Sequence, residues 1–102
     1  MHKKITPEKA KEIIDTTDCT ILDVRTEDEF VLGHLENSIC IPVDDLPSRL
    51  EELPDKSATI LICCRSGKSS AIAAEYLSKE GYENVYDFGG LLSWRYGYVE
   101  WD

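Results

Sequence analysis

A chain of 102 residues, 42% hydrophobic and 30% charged, has the composition of one globular domain, expected to span residues 1–102 with a buried core. Eleven Lys and Arg against twenty Asp and Glu leave a formal charge of -9, which repels DNA, RNA and anionic lipid and argues against all three as direct ligands. No apolar run has the length of a membrane span, and the N-terminal MHKKITPEKAKEIID lacks the apolar stretch of a secretory signal, so the expectation is a cytoplasmic protein and, with no long exposed apolar stretch, a monomer.

KKIT reads as a short strand. Thr6 then has the character of an N-cap with Pro7 at the first helical position, and Ala10, Ile13 and Ile14 form the apolar face of a helix ending near Asp15. CTILDV (Cys19 to Val24) is a β-rich apolar run, read as a buried strand. Thr26 and Glu29 have capping-box spacing, Glu27 to Glu29 make an acidic and solvated helix start, and Gly33 stops that helix early. SICIPV (Ser38 to Val43) reads as a strand closed by Pro42. Leu46, Leu50 and Leu53 recur at helical spacing, with Pro47 placed in the first turn and Pro54 ending the segment.

ATILICC (Ala58 to Cys64) is apolar throughout, as in a parallel strand covered on both faces. A helix from about Lys68 to Glu80 follows, with Ile72, Ala73, Tyr76 and Leu77 as its apolar stripe, Glu75 and Lys79 as an i,i+4 pair and Gly81 as its C′ residue. NVYDF (Asn84 to Phe88) reads as the last strand, and GGLLSW begins a short terminal helix or turn that gives Leu92 and Trp94 to the core. Strands alternate with helices throughout, the pattern of a three-layer α/β domain around a mainly parallel sheet. Ligands of such sheets bind beyond the carboxyl ends of the strands, where Cys64 lies.

The four cysteines are Cys19, Cys40, Cys63 and Cys64. Without a signal segment they are expected as reduced thiols. There is no C-x₂-C pair, and His2 and His34 lack ligand spacing, so neither a metal nor another cofactor is expected. Cys64 is the candidate nucleophile. The turn Arg65 to Ser69 must pass from strand to helix in few residues, and Gly67 allows it. Amides of such a turn form an anion-binding nest, the next helix adds its positive end, and Arg65 and Lys68 add two charges. Each stabilises thiolate over thiol. Arg65, Ser66, Gly67, Lys68, Ser69 and Ser70 are therefore the candidate substrate-binding residues. Cys63, one residue back, faces the other side of the strand and is read, like Cys19 and Cys40, as packing. Asp23 and Arg25 end a strand on the same rim and are read as a structural ion pair. His34, after a helix-ending glycine, is read as a hydrogen-bonded structural histidine.

Three stretches together resemble the rhodanese-like sulfurtransferases. CRSGKSS (Cys64 to Ser70) is similar to that family's active-site loop. ILDVRTEDEFVLGHLENSICIP (Ile21 to Pro42) is similar to its Asp-Val-Arg segment and Gly-His signature. GYENVYDFGGLLSW (Gly81 to Trp94) resembles its closing strand and Gly-Gly turn. The resemblance implies a rhodanese-like fold: a five-stranded, mostly parallel sheet with helices on both faces. It also implies that Cys64 takes a sulfane sulfur as a persulfide and passes it to cyanide or another thiol. A common family loop has the form Cys-Arg-Ser-Gly-x-Arg; here Ser69 stands at that Arg and Lys68 precedes it, a point charge in place of a fork. The implied partners are a small sulfur-containing anion or a protein that gives or takes sulfur. Two other readings stay open. One is a sulfur-relay or regulatory module, whose acidic surface suits a basic protein partner. The other is a Cys-dependent phosphatase or arsenate reductase, which needs an Arg six positions after the cysteine, where this chain has Ser70.

Overall fold

A computed structural model describes residues 2–99. Its strands are β1 (His2–Lys4), β2 (Thr20–Asp23), β3 (Ser38–Cys40), β4 (Thr59–Cys64) and β5 (Asn84–Gly90), and its α-helices are α1 (Pro7–Thr16), α2 (Glu27–Leu32) and α3 (Lys68–Lys79). The five strands form one sheet in the order β1-β5-β4-β2-β3, with parallel pairing at each step.

The central strand explains the layering. Along β4, Ile60, Ile62 and Cys64 face a core completed by Ala73, Ala74 and Leu77 of α3. Leu61 and Cys63 face the opposite core, with Ala10 of α1, Phe88, Leu91 and Trp94. Successive side chains point to opposite faces of a strand, so an apolar run with helices on both sides buries all of it. Ile60, Leu61 and Ile62 are at most 1% exposed, and burying each such side chain contributes about 1.5–3 kcal/mol.

The helix starts follow their sequences. Thr6 Oγ1 accepts the Lys9 amide at 3.0 Å, with Pro7 next to it in the first turn. Thr26 and Glu29 form the reciprocal capping box, and Gly33 follows α2 directly. At the end of α3, the Tyr82 amide donates to Leu77 O at 3.1 Å and the Gly81 amide to Ser78 O at 3.2 Å, with Gly81 at φ 95°. That is a Schellman ending, which needs a residue at ease in the left-handed region.

The structure departs from the sequence reading at four places. The Leu46–Leu50–Leu53 segment folds as two 3-10 helices, Val43–Ser48 and Leu50–Glu52. Pro47, inside the first of them, has no amide to give an i−3 or an i−4 carbonyl, so the hydrogen-bond ladder is interrupted there and the segment stays in short turns. Strand β3 ends at Cys40, though the Ile41 and Val43 amides still donate to Asp23 O and Val24 O at 3.1 Å each. On α3 the sheet-facing set is Ser70, Ala73, Ala74 and Leu77, an i, i+3, i+4, i+7 series, and Ile72 lies off it with 54% exposure. Beyond β5, the 3-10 turn Leu91–Ser93 turns Leu91 inward and leaves Leu92 73% exposed, while Trp94 is buried.

Candidate active site

Cys64 is the last residue of β4 and is 2% exposed, so its sulfur sits at the floor of a cavity rather than on the surface. The Gly67 amide donates to Cys64 Sγ at 2.9 Å. Gly67 has φ 103°, a conformation that favours glycine, and this turn aims its N–H back at the sulfur while starting α3. Ser70 Oγ donates to Gly67 O at 3.1 Å and the Ala71 amide to the same oxygen at 3.3 Å, which fixes the peptide from the other side.

Strand β5 braces the loop from beneath. Register shifts at a bulge, with Ile62 opposite Asp87 and Cys63 opposite Gly89, so Phe88 is the extra residue. Asp87 Oδ1 accepts the Gly89 amide at 2.9 Å. Gly90 then lies against the loop so closely that a Cβ there would stand 2.5 Å from Arg65 O and 2.7 Å from Ser66 Cα. The Leu92 amide donates to Arg65 O at 3.2 Å and ties the loop down. Neither brace is evident from the loop's own sequence; the only signal is the Gly-Gly pair at 89 and 90.

The cavity above Cys64 has a volume of about 260 Å³. Arg65, Ser66 and Ser69 line it from the loop, Val24, Arg25 and Thr26 from the chain after β2, and Pro42, Val43 and Asp44 from the chain after β3. Of the residues the sequence singles out, Ser70 is buried beneath the loop and Lys68 is exposed; neither lines this cavity. Gly67 contributes its amide. The arrangement presents one sulfur to a small enclosed volume, with an N–H donor already directed at it and one guanidinium, Arg65, on the exposed part of the wall.

A family model of the rhodanese-like domain matches residues 6–96. The chain belongs to this family. It is 34% identical over 90 residues to a sulfurtransferase of Allochromatium vinosum, spanning 86% of this chain and 83% of that one. It is 31% identical over 96 residues to the thiosulfate sulfurtransferase GlpE of Coxiella burnetii, spanning 93% and 89%. Among solved structures, a rhodanese-like domain protein from Staphylococcus aureus superposes with a TM-score of 0.87 at 31% identity, spanning 98% of this chain and 99% of that one.

In this rhodanese domain the second wall of the site is held by a buried ion pair. Arg25 Nε donates to both Asp23 oxygens, at 3.0 and 3.1 Å, and Arg25 Nη2 donates to Asp23 Oδ2 and to Gly33 O at 2.7 Å each. Burial alone would lower the Arg25 guanidinium's pKa; the Asp23 carboxylate outweighs it and holds the group above its ordinary value. Arg25 thus joins β2 to the end of α2 and shapes the cavity with its flank. His34 lies outside the cavity. It is buried, its Nδ1 donates to Phe30 O at 2.7 Å, and its ring stacks on Phe30 at 3.8 Å.

The other three cysteines have different surroundings. Burial, with Asp23 next in effect, pushes the Cys63 thiol far up. Burial, then Asp23 and Glu27, raises Cys40 to about 11. Burial and Asp18 raise Cys19. All three are held as thiols at neutral pH, and the thiolate is the nucleophile. Among the described residues no helix is long and apolar enough to cross a membrane.

Proposed function

We propose that the protein is a sulfurtransferase in which Cys64 carries the sulfur as a persulfide, with thiosulfate as one competent donor. The observation that carries this reading is the Gly67 amide aimed at Cys64 Sγ from 2.9 Å at the floor of a small cavity. Such a donor stabilises the attacking thiolate, whose negative charge sits on the atom at which the N–H points.

The Cys64 thiolate attacks the outer sulfur of thiosulfate. The new bond joins Sγ to that sulfur, the old S–S bond breaks, and its electron pair leaves with sulfite. Cyanide or a thiolate then attacks the same sulfur, the Cys64 S–S bond breaks, and its pair returns to Sγ. The relatives named as sulfurtransferases support this chemistry, and so does the cavity's size, which suits a four- or five-atom anion better than a large substrate. Arg65 on the cavity wall is assigned to the anion; Ser66, Gly67 and Ser69 are assigned to the cradle. A phosphoryl-transfer reading gains nothing from the loop, since Ser70 is buried and bonded to Gly67 O where a guanidinium would have to reach substrate.

The test is intact mass after incubation with thiosulfate, followed by thiocyanate release on adding cyanide. Wild type should gain one sulfur and lose it to cyanide, and Cys64→Ser should do neither. Equal thiocyanate from the two proteins ends the proposal.

A further inference from the structure

Beside the Cys64 cavity runs a second, larger groove of about 470 Å³, and the two share Arg25, Glu29 and Arg65 as a common wall. Leu32 and Gly33 at the end of α2 form one side, and Leu91, Leu92 and Tyr98 the other. Leu32 is 78% exposed, Leu92 73% and Tyr98 48%. Single exposed leucines are common and mean little; two of them lining one groove that shares a wall with the Cys64 cavity make a binding patch. The groove is of the size that holds a side chain or a small ligand.

Cyanide and thiosulfate have no apolar surface to place there. An occupant needs an apolar side chain next to the atom that exchanges sulfur. Charge narrows the choice further. On the cavity walls Glu29 and Asp44 stand beside Arg25 and Arg65, and the chain as a whole carries -9. Such a field attracts a basic surface and repels an anionic small thiol. We infer that the groove docks a partner protein, through a segment that bears a cysteine with an apolar neighbour on a basic surface, and that this cysteine exchanges sulfur with Cys64.

This rests on the persulfide chemistry proposed above. In the transfer step the partner's thiolate, its proton already lost to solvent, attacks the outer sulfur of the Cys64 persulfide. The Cys64 S–S bond breaks, its electron pair stays on Sγ, and the partner leaves as the persulfide. No electrons are gained or lost overall, so the reverse direction loads Cys64 from a partner persulfide by the same geometry.

The experiment uses three synthetic peptides with one cysteine each: one flanked by leucines and lysines, one with the leucines replaced by serines, one with the lysines replaced by glutamates. Sulfur loss from persulfide-loaded protein is followed by mass, and a cysteine-to-serine copy of each peptide is titrated against unloaded protein by calorimetry. The leucine–lysine peptide should react and bind about tenfold better than either control, a difference of about 1.4 kcal/mol. Leu32→Ser, exposed enough to leave folding intact, should bring it to the level of the serine peptide, with discharge to cyanide unchanged. Equal behaviour of the three peptides, or a Leu32→Ser protein that binds the first peptide as wild type does, overturns the inference. So does a concentration-dependent dimer that Leu32→Ser dissolves, which would assign the groove to a second copy. If Cys64 never gains sulfur, the persulfide reading falls, while the calorimetric comparison still decides the docking site.

Discussion

Gly90→Ala puts one methyl group where the active-site loop already lies. Gly90 has φ -89° and ψ 140°, so alanine fits the backbone there and the cost is purely one of contact. Its Cβ would stand 2.5 Å from Arg65 O and 2.7 Å from both Ser66 Cα and Ser66 C. Non-bonded atoms settle at about 3.5 Å or more, so Arg65 and Ser66 must move by about 1 Å. Both neighbours are backbone and cannot swing aside as a flexible side chain would. Strand β5 cannot retreat easily either, since it pairs with Cys64 at Gly90 and follows the Asp87–Gly89 bond. The displaced loop carries the Gly67 amide away from Cys64 Sγ. Overpacking of this kind costs about 1–3 kcal/mol, and each kcal/mol lowers Tm by about 4–8 °C in a chain of this size. The catalytic loss should be larger, on the order of 100-fold, because a misplacement of about 1 Å has that effect on a positioned site. Gly89→Ala is the control. Gly89 has φ 86° and open space around its Cβ, so the substitution strains the backbone by roughly 1–2 kcal/mol without pushing the loop. The two variants should melt alike and differ sharply in thiocyanate formation from thiosulfate and cyanide. A folded Gly90→Ala protein as fast as wild type refutes the reasoning, as does equal loss of activity in both.

Arg65→Ala should raise KM for thiosulfate roughly tenfold with kcat little changed, while Lys68→Ala, outside the cavity, should change either by less than about twofold; the reverse ranking in steady-state kinetics would move the anion site to the start of α3. Asp23→Ala leaves Arg25 charged and largely buried, and should cost about 3–5 kcal/mol in denaturant unfolding, against under about 1 kcal/mol if the pair were a surface one. Cys40 titrates at about 11 in the folded protein against an ordinary 9.0, so its neutral thiol favours folding below pH 9 and that contribution is lost as pH rises through 11. Cys40→Ala should therefore flatten the fall of stability with pH between those limits, and an unchanged slope in urea melts would contradict it.

How much of this was legible in sequence depended on whether the cause was local. Caps at Thr6 and Thr26, the Gly81 stop and the double-sided burial of β4 follow from neighbouring residues, and the chain shows all of them. Cys64 at the strand end, with a glycine three residues on, was equally local. What the sequence could not show is what meets across the fold. Ile72 and Leu92 look like core residues by type, yet the set facing the sheet is decided by how α3 and the turn after β5 lie on it. Ser70 in a basic-looking loop turns out to be a buried prop for Gly67 O. The contact of Gly90 with Arg65 and Ser66 joins residues far apart in the chain, and glycine there carries no helical or strand signal of its own.

Under the proposed function, the paired cysteines at 63 and 64 show how little separates an inert thiol from a reactive one. Strand parity sends Cys63 toward α1 and Leu91, at 0% exposure, and Cys64 toward the cavity. On its side Cys63 has burial and the Asp23 carboxylate, which both favour the thiol. On the other side Cys64 has the Gly67 N–H. A Cys64→Ser protein still holds Cys63 one residue away, which makes it a direct test of whether local sequence or local geometry confers reactivity. If geometry does, thiosulfate leaves its mass unchanged and Cys63 gains no sulfur. Sulfur found on Cys63 would mean that the strand can slip or that the loop serves either thiol, and the Gly67 amide would then lose its place as the feature that selects Cys64.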